Sequence, residues 1–178
     1  MGKGGTTRPC AKMMKLNYSC EYEAEAFKLA QECKEPDQRT YRNVNFFISS
    51  KTNKNEAADE SLASWYGEIT KPGAGLDQAT GAGNLLKPTL NIDHFARVGQ
   101  KFMFVSDLFD LKLITGTFQM VWAENVRVGC AFNTCNKQLY AVCMYDKGVG
   151  VYGNPIYKPG AASCRQCTTA CDDGLCTA

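Results

Sequence analysis

Apolar and polar positions alternate with two different periods along this chain, and the change of period marks the elements. The run from Cys20 to Cys33 holds strong helix formers and no breaker, with Glu21 and Glu23 in its first turn. Acidic residues there suit the positive end of a helix dipole. Cys20, Ala24, Phe27 and Ala30 predict a narrow inward stripe, and Pro36 ends the segment. Val44 to Ile48 reads as a short buried strand. A second helix is predicted over 56–68, with Leu62, Trp65, Tyr66 and Ile69 at core-facing spacing. Pro72 and the glycines at 73, 75, 81 and 83 predict a long surface loop. Residues 126–133 and 139–146 alternate on either side of Thr134 to Gln138, the pattern of a β-hairpin carrying Cys130 and Cys143. The order of helix, strand, helix and hairpin predicts an α+β fold with helices packed on an antiparallel sheet.

Composition narrows the classes. The 178 residues amount to one domain by ordinary size, and 44% hydrophobic content is that of a globular chain. Twenty Lys and Arg against 18 Asp and Glu leave a net charge of +2, which removes the electrostatic case for nucleic acid or an anionic membrane. No apolar run reaches the ~18–20 residues of a membrane span. Ten cysteines are too many for a reduced cytosolic enzyme and predict five disulfides in an oxidising compartment. They are Cys10, Cys20, Cys33, Cys130, Cys135, Cys143, Cys164, Cys167, Cys171 and Cys176, with the pairing left open. The first ten residues hold no apolar core of a secretory signal, so the chain reads as starting after a signal or as a fragment of a longer secreted precursor. Gly2 and Thr6 also fit a myristoylation pattern, against which the cysteine content argues.

Candidate chemistry is sparse. His94, in Asp93-His94-Phe95, is the only imidazole, so a histidine-rich metal centre is excluded. As a base it would need a carboxylate such as Asp93 to orient it. No nucleophile motif accompanies it, and a loop or capping role fits better. Cys164-x-x-Cys167 is followed too soon by Cys171 and Cys176 for a zinc finger, so a disulfide knot is expected. Asn17-Tyr18-Ser19 is an acceptor sequon for N-glycosylation. Asp37 to Arg39 and Asn53 to Asn55 read as ordinary surface polars.

Several stretches together resemble the cysteine-rich secretory, antigen 5 and pathogenesis-related (CAP) superfamily, most of all its nematode activation-associated secreted branch. They are Ser64-Trp-Tyr-Gly-Glu68, Gln119-Met-Val-Trp122, Val128-Gly-Cys130, Tyr140-Ala-Val-Cys143-Met-Tyr145 and Gly153-Asn-Pro-Ile-Tyr157. The resemblance implies a three-layer α-β-α sandwich over 1–152, with a cysteine-rich extension over 153–178. It also implies a cleft in which two His and two Glu can hold a divalent cation. Here only Glu68 matches. Asn43-Val44-Asn45-Phe46 stands where the family carries a second Glu, no His follows Cys33, and Gly116-Thr117-Phe118 replaces the other His. No catalytic, cofactor-binding or metal-binding residue is therefore assigned, and Glu68 is expected to hydrogen-bond in the cleft or end its helix in solvent.

Two further departures concern length. The family's long first helix has no counterpart before Lys12, which predicts an N-terminally truncated chain. Residues 100–118 form an apolar insertion whose Phe104, Leu108, Leu111 and Ile114 have partial helical spacing. A packed extra helix and a retained intron are the two readings, separable by comparing transcript with genomic DNA. The resemblance implies a secreted, non-enzymatic parasite protein that binds a host cell-surface or plasma protein, an integrin among the candidates, and modulates haemostasis or immunity. The alternative is lipid or sterol carriage, with Phe102 to Ile114 lining an apolar pocket.

Overall fold

The computed structural model describes residues 9–71, 84–97, 122–149 and 151–177. Strands β1 (Asn17–Tyr18), β2 (Val44–Ser49), β3 (Arg127–Cys135) and β4 (Gln138–Tyr145) form one sheet in the order β1-β3-β4-β2. β3 and β4 are antiparallel with Cys130 opposite Cys143, β2 is antiparallel to β4, and β1 runs parallel to β3. The hairpin turn is tighter than the sequence predicts. Only Asn136 and Lys137 separate the strands, both with positive φ, a backbone whose twist matches that of the strands.

Side chains of the sheet alternate between two cores. Val44, Phe46, Ala131, Tyr140, Val142 and Met144 face helix α1 (Cys20–Gln31), joined by its Ala26, Leu29 and Ala30. Val128, Cys130, Cys143 and Tyr145 face the other way, toward Trp65 and Ile69, helix α3 (Asp93–Arg97) and the C-terminal segment. Helix α2 (Lys54–Gly67) supplies Trp65, whose indole N–H donates to the outer carbonyl of Phe46 at 3.2 Å and so satisfies part of the open β2 edge. The three-layer α-β-α arrangement is the one the family resemblance implies.

The predicted inward stripe of α1 holds at Ala30 and is corrected at Cys20, Ala24 and Phe27. Phe27 is 41% exposed, and Cys20 and Ala24 are exposed, while Ala26 and Ala30 are fully buried. The reason is the closeness of α1 to β3. A Cβ at Gly129 would lie 2.5 Å from Ser19 O and from Tyr22 C, and closer still to Glu23 N. A helix seated that tightly presents alanines to the sheet and turns its phenylalanine out. Ser19 caps α1 by accepting from Tyr22 N–H. Asn53, read above as a plain surface polar, caps α2 by accepting from the backbone N–H groups of Asn55 and Glu56.

The expectation of five disulfides is corrected to four among the described residues. Cys33–Cys135 ties the end of α1 to the end of β3, and Cys130–Cys143 links β3 to β4. Cys164–Cys171 and Cys167–Cys176 make the predicted C-terminal knot around β5 (Cys171–Asp172) and β6 (Leu175–Cys176). Cys10 and Cys20 are unbridged. They belong to different surroundings: the Cys10 thiol is directed at the Lys12 carbonyl, whereas Cys20 opens α1 in solvent. Ile156, Tyr157 and Leu175 share the second core with Trp65 and Trp122. Met13 accepts from Cys176 N–H and Lys15 donates to Cys176 O, so the N-terminal segment lies against β6.

Candidate functional site

Glu68 and His94 lie 26 residues apart in sequence and meet in space. Glu68 opens the 3-10 turn that continues α2, and His94 is the second residue of α3. His94 Nδ1–H donates to Glu68 Oε1 at 2.7 Å, and Phe95 N–H donates to Glu68 Oε2 at 2.9 Å. The pair is sheltered, with side-chain exposures of 12% for Glu68 and 28% for His94. Because a carboxylate only accepts, Glu68 fixes the proton on Nδ1 and leaves Nε2 as the second ring nitrogen. Of the alternatives for Glu68, hydrogen bonding is the one observed, to His94 and to the backbone of α3. His94 is held within a helix rather than in a loop.

Asp93, the carboxylate next to His94 in sequence, serves a different partner. Tyr152 O–H donates to its Oδ2 at 2.8 Å, and the Arg42 guanidinium carbon stands 5.6 Å from the centre of the Tyr152 ring. Burial pushes the Tyr152 phenol up, with the Asp93 carboxylate adding to it.

Behind this pair lies a buried polar layer. Asn45 Nδ2 donates to the His94 carbonyl at 3.1 Å, and Arg97 Nε donates to the Arg42 carbonyl at 2.8 Å. Asn125 donates weakly to Arg97 O and accepts from the N–H groups of Lys147 and Gly148, closing the layer onto the end of β4. Arg97 is only 2% exposed. Burial lowers its affinity for the proton, and the charges of Asp93 and Glu68 oppose that. Asn45 Oδ1, Arg97 Nη1 and Tyr145 Oη are buried without a hydrogen-bond partner. Sequence reasoning passed over Asn45, Arg97 and Asn125 as functional candidates. The available signal was a polar residue set between the apolar neighbours Val44 and Phe46 of a buried strand.

The divalent cation that the family's cleft can hold does not fit the described residues. Both oxygens of Glu68 are engaged by α3, and no group of three His, Cys, Asp or Glu among the described residues could hold a metal ion. Gly116 to Phe118, Phe102 to Ile114 and the loop glycines at 73, 75, 81 and 83 lie outside the described residues. Asn17 is exposed on β1. Among the described residues no helix is long and apolar enough to cross a membrane.

Residues 6–145 match the pattern of CAP, the cysteine-rich secretory protein family. The chain is 28% identical over 185 residues to Ancylostoma secreted protein of Ancylostoma caninum, an alignment covering 98% of this chain but 38% of that one. It is 26% identical over 168 residues to Hookworm platelet inhibitor 1 of the same organism, covering 92% of this chain and 67% of that one. The fold is similar to the crystal structure of NaASP2 with Zn2+, with a TM-score of 0.71 and 28% identity over 97% of this chain and 81% of that chain. The crystal structure of Na-ASP-1 gives 0.72 and 27% over 97% of this chain and 40% of that chain.

Proposed function

The chain belongs to the cysteine-rich secretory protein (CAP) family, and from that premise we propose a secreted, non-enzymatic protein that acts by binding a host protein. The observation that carries this reading is the closure of Glu68. Its two oxygens are consumed by His94 and by the backbone of α3, so the family's cleft carboxylate here clasps α2 to α3 rather than facing a ligand. In this reading the Glu68–His94 dyad acts as a fastening between the end of α2 and α3. Recognition then falls to the surface of a scaffold held by four disulfides. The name of the platelet inhibitor, at 26% identity, supports a partner on platelets; leukocytes are the other cell this reading admits and an integrin its specific candidate. Within this reading 1–152 is the CAP domain and 153–178 its disulfide-rich extension.

The test is adhesion. Purified, oxidised protein should bind platelets or neutrophils and reduce their attachment to immobilised ligands. Absence of binding to either cell and to their isolated integrins would overturn the reading. Lipids recovered by extraction of the purified protein would favour carriage instead.

A further inference from the structure

We propose that Asn17 carries an N-linked glycan that covers the open β1 edge of the sheet, an inference that rests on the secreted reading above. The sequon Asn17-Tyr18-Ser19 coincides with β1 and the residue after it, and both residues of β1 are exposed. Among the described residues β1 is the outermost strand of the sheet and pairs on one side only. Asn17 N–H donates to Val126 O and Ser19 N–H donates to Val128 O, both at 2.8 Å. In a parallel pair with that register the intervening Tyr18 turns its own N–H and C=O away from β3, while the residue is 47% exposed and its hydroxyl donates to Cys130 O at 3.4 Å. An outward backbone beside an exposed aromatic is a template for strand addition by another chain, which proteins blunt by covering the edge. A glycan one residue away supplies that cover.

The neighbouring cysteine does not obstruct the modification. Cys20 is exposed and unbridged, so no disulfide pins the sequon on its C-terminal side. Ser19 serves twice. Its hydroxyl completes the acceptor motif in the extended chain, and after folding it accepts from Tyr22 N–H as the cap of α1. Transfer therefore precedes the closing of α1. The donor is an oligosaccharide carried as a polyprenyl diphosphate ester. Asn17 Nδ2 attacks its anomeric carbon, forming the N–C bond as the C–O bond to diphosphate breaks. The diphosphate leaves with the electron pair, the amide gives up one proton, and nothing is oxidised or reduced.

The experiment uses the full chain behind a cleavable heterologous leader in cultured animal cells, with protein taken from the medium. The leader supplies entry into the secretory pathway, so failure of glycosylation is distinguishable from failure of the secreted reading, which native localisation tests. Peptide mass mapping should find a glycan on Asn17 that peptide N-glycosidase removes, leaving Asp at that position. Asn17→Gln and Ser19→Ala should lack it, and Ser19→Thr, which keeps both sequon and cap, should retain it. Secreted protein with unmodified Asn17 would overturn the proposal. Light scattering after size exclusion should show the enzymatically deglycosylated protein associating at concentrations where the glycosylated form is monomeric. Identical behaviour of the two forms would overturn the covering role.

Discussion

Replacing Gly129 by alanine adds one methyl group at the point where α1 meets β3. That carbon would sit 2.5 Å from Ser19 O and Tyr22 C and nearer still to Glu23 N. All three are backbone atoms, so no rotamer change relieves the clash. Reaching an ordinary contact requires the first turn of α1 to retreat by about 1 Å, against the tight packing of a protein interior. The helix is not free to do so. Its start is bonded to the sheet through Ser19 N–H to Val128 O, and its end is tied by Cys33–Cys135. Overpacking of about 1–3 kcal/mol, with about 1 kcal/mol for a weakened hydrogen bond, places the loss near 3 kcal/mol. For a domain of this size that is a fall of roughly 6–12 °C in Tm. Thermal unfolding by circular dichroism and urea unfolding by the fluorescence of the buried Trp65 and Trp122 measure it. Gly67→Ala is the control, because an alanine there meets nothing within 4 Å and the backbone is already helical. It should be neutral or gain up to about 1 kcal/mol. A G129A protein within about 1 kcal/mol of the parent, or two glycine variants that fall equally, would refute the reasoning.

Removing Cys33–Cys135 in a C33S/C135S protein should cost about 3 kcal/mol in urea denaturation, with roughly 4–5 kcal/mol as the chain-entropy ceiling for a bridge spanning 102 residues. Alkylation without reductant should label Cys20 quickly and Cys10 slowly, since burial pushes the Cys10 thiol up and lowers its thiolate fraction, and mass spectrometry should find the other eight protected. Glu68→Ala should destabilise by about 2–3 kcal/mol, because two charge-assisted bonds are lost and Phe95 N–H is left without its partner; equilibrium unfolding checks it. Tyr145 is fully buried, and burial holds its phenol well above the ordinary value of 10.0. The folded state then keeps a proton that the unfolded state releases, so stability is intact below about pH 10 and declines above it. Tyr145→Phe should flatten that alkaline decline in pH-jump unfolding and change neutral-pH stability by no more than about 1 kcal/mol, since the hydroxyl has only the side chain of Asn45 beside it and makes no well-formed hydrogen bond.

The sequence by itself determined the kinds and order of the main elements, α1, β2, α2 and the β3–β4 hairpin, though not of β1 or α3. Period-2 alternation in 126–146 specified the hairpin, helix formers between Cys20 and Cys33 specified α1, and the crowding of Cys164 to Cys176 specified a cross-linked segment. These are local properties, written in neighbouring residues and in backbone preference. The phase of α1 was not local. Its residues offer more than one inward stripe, and the missing side chain of Gly129, about a hundred residues away, selected the alanine face over Phe27. The cysteine count could not say which thiols come within bonding reach, and folding left Cys10 and Cys20 unbridged. Glu68 was visible as a family carboxylate, but its partner was not. Only the packing of α3 against α2 brings His94 and the Phe95 N–H to its two oxygens, converting a candidate ligand into a clasp. Tertiary structure decided each of these because each depends on a distance between residues remote in sequence, which periodicity does not encode.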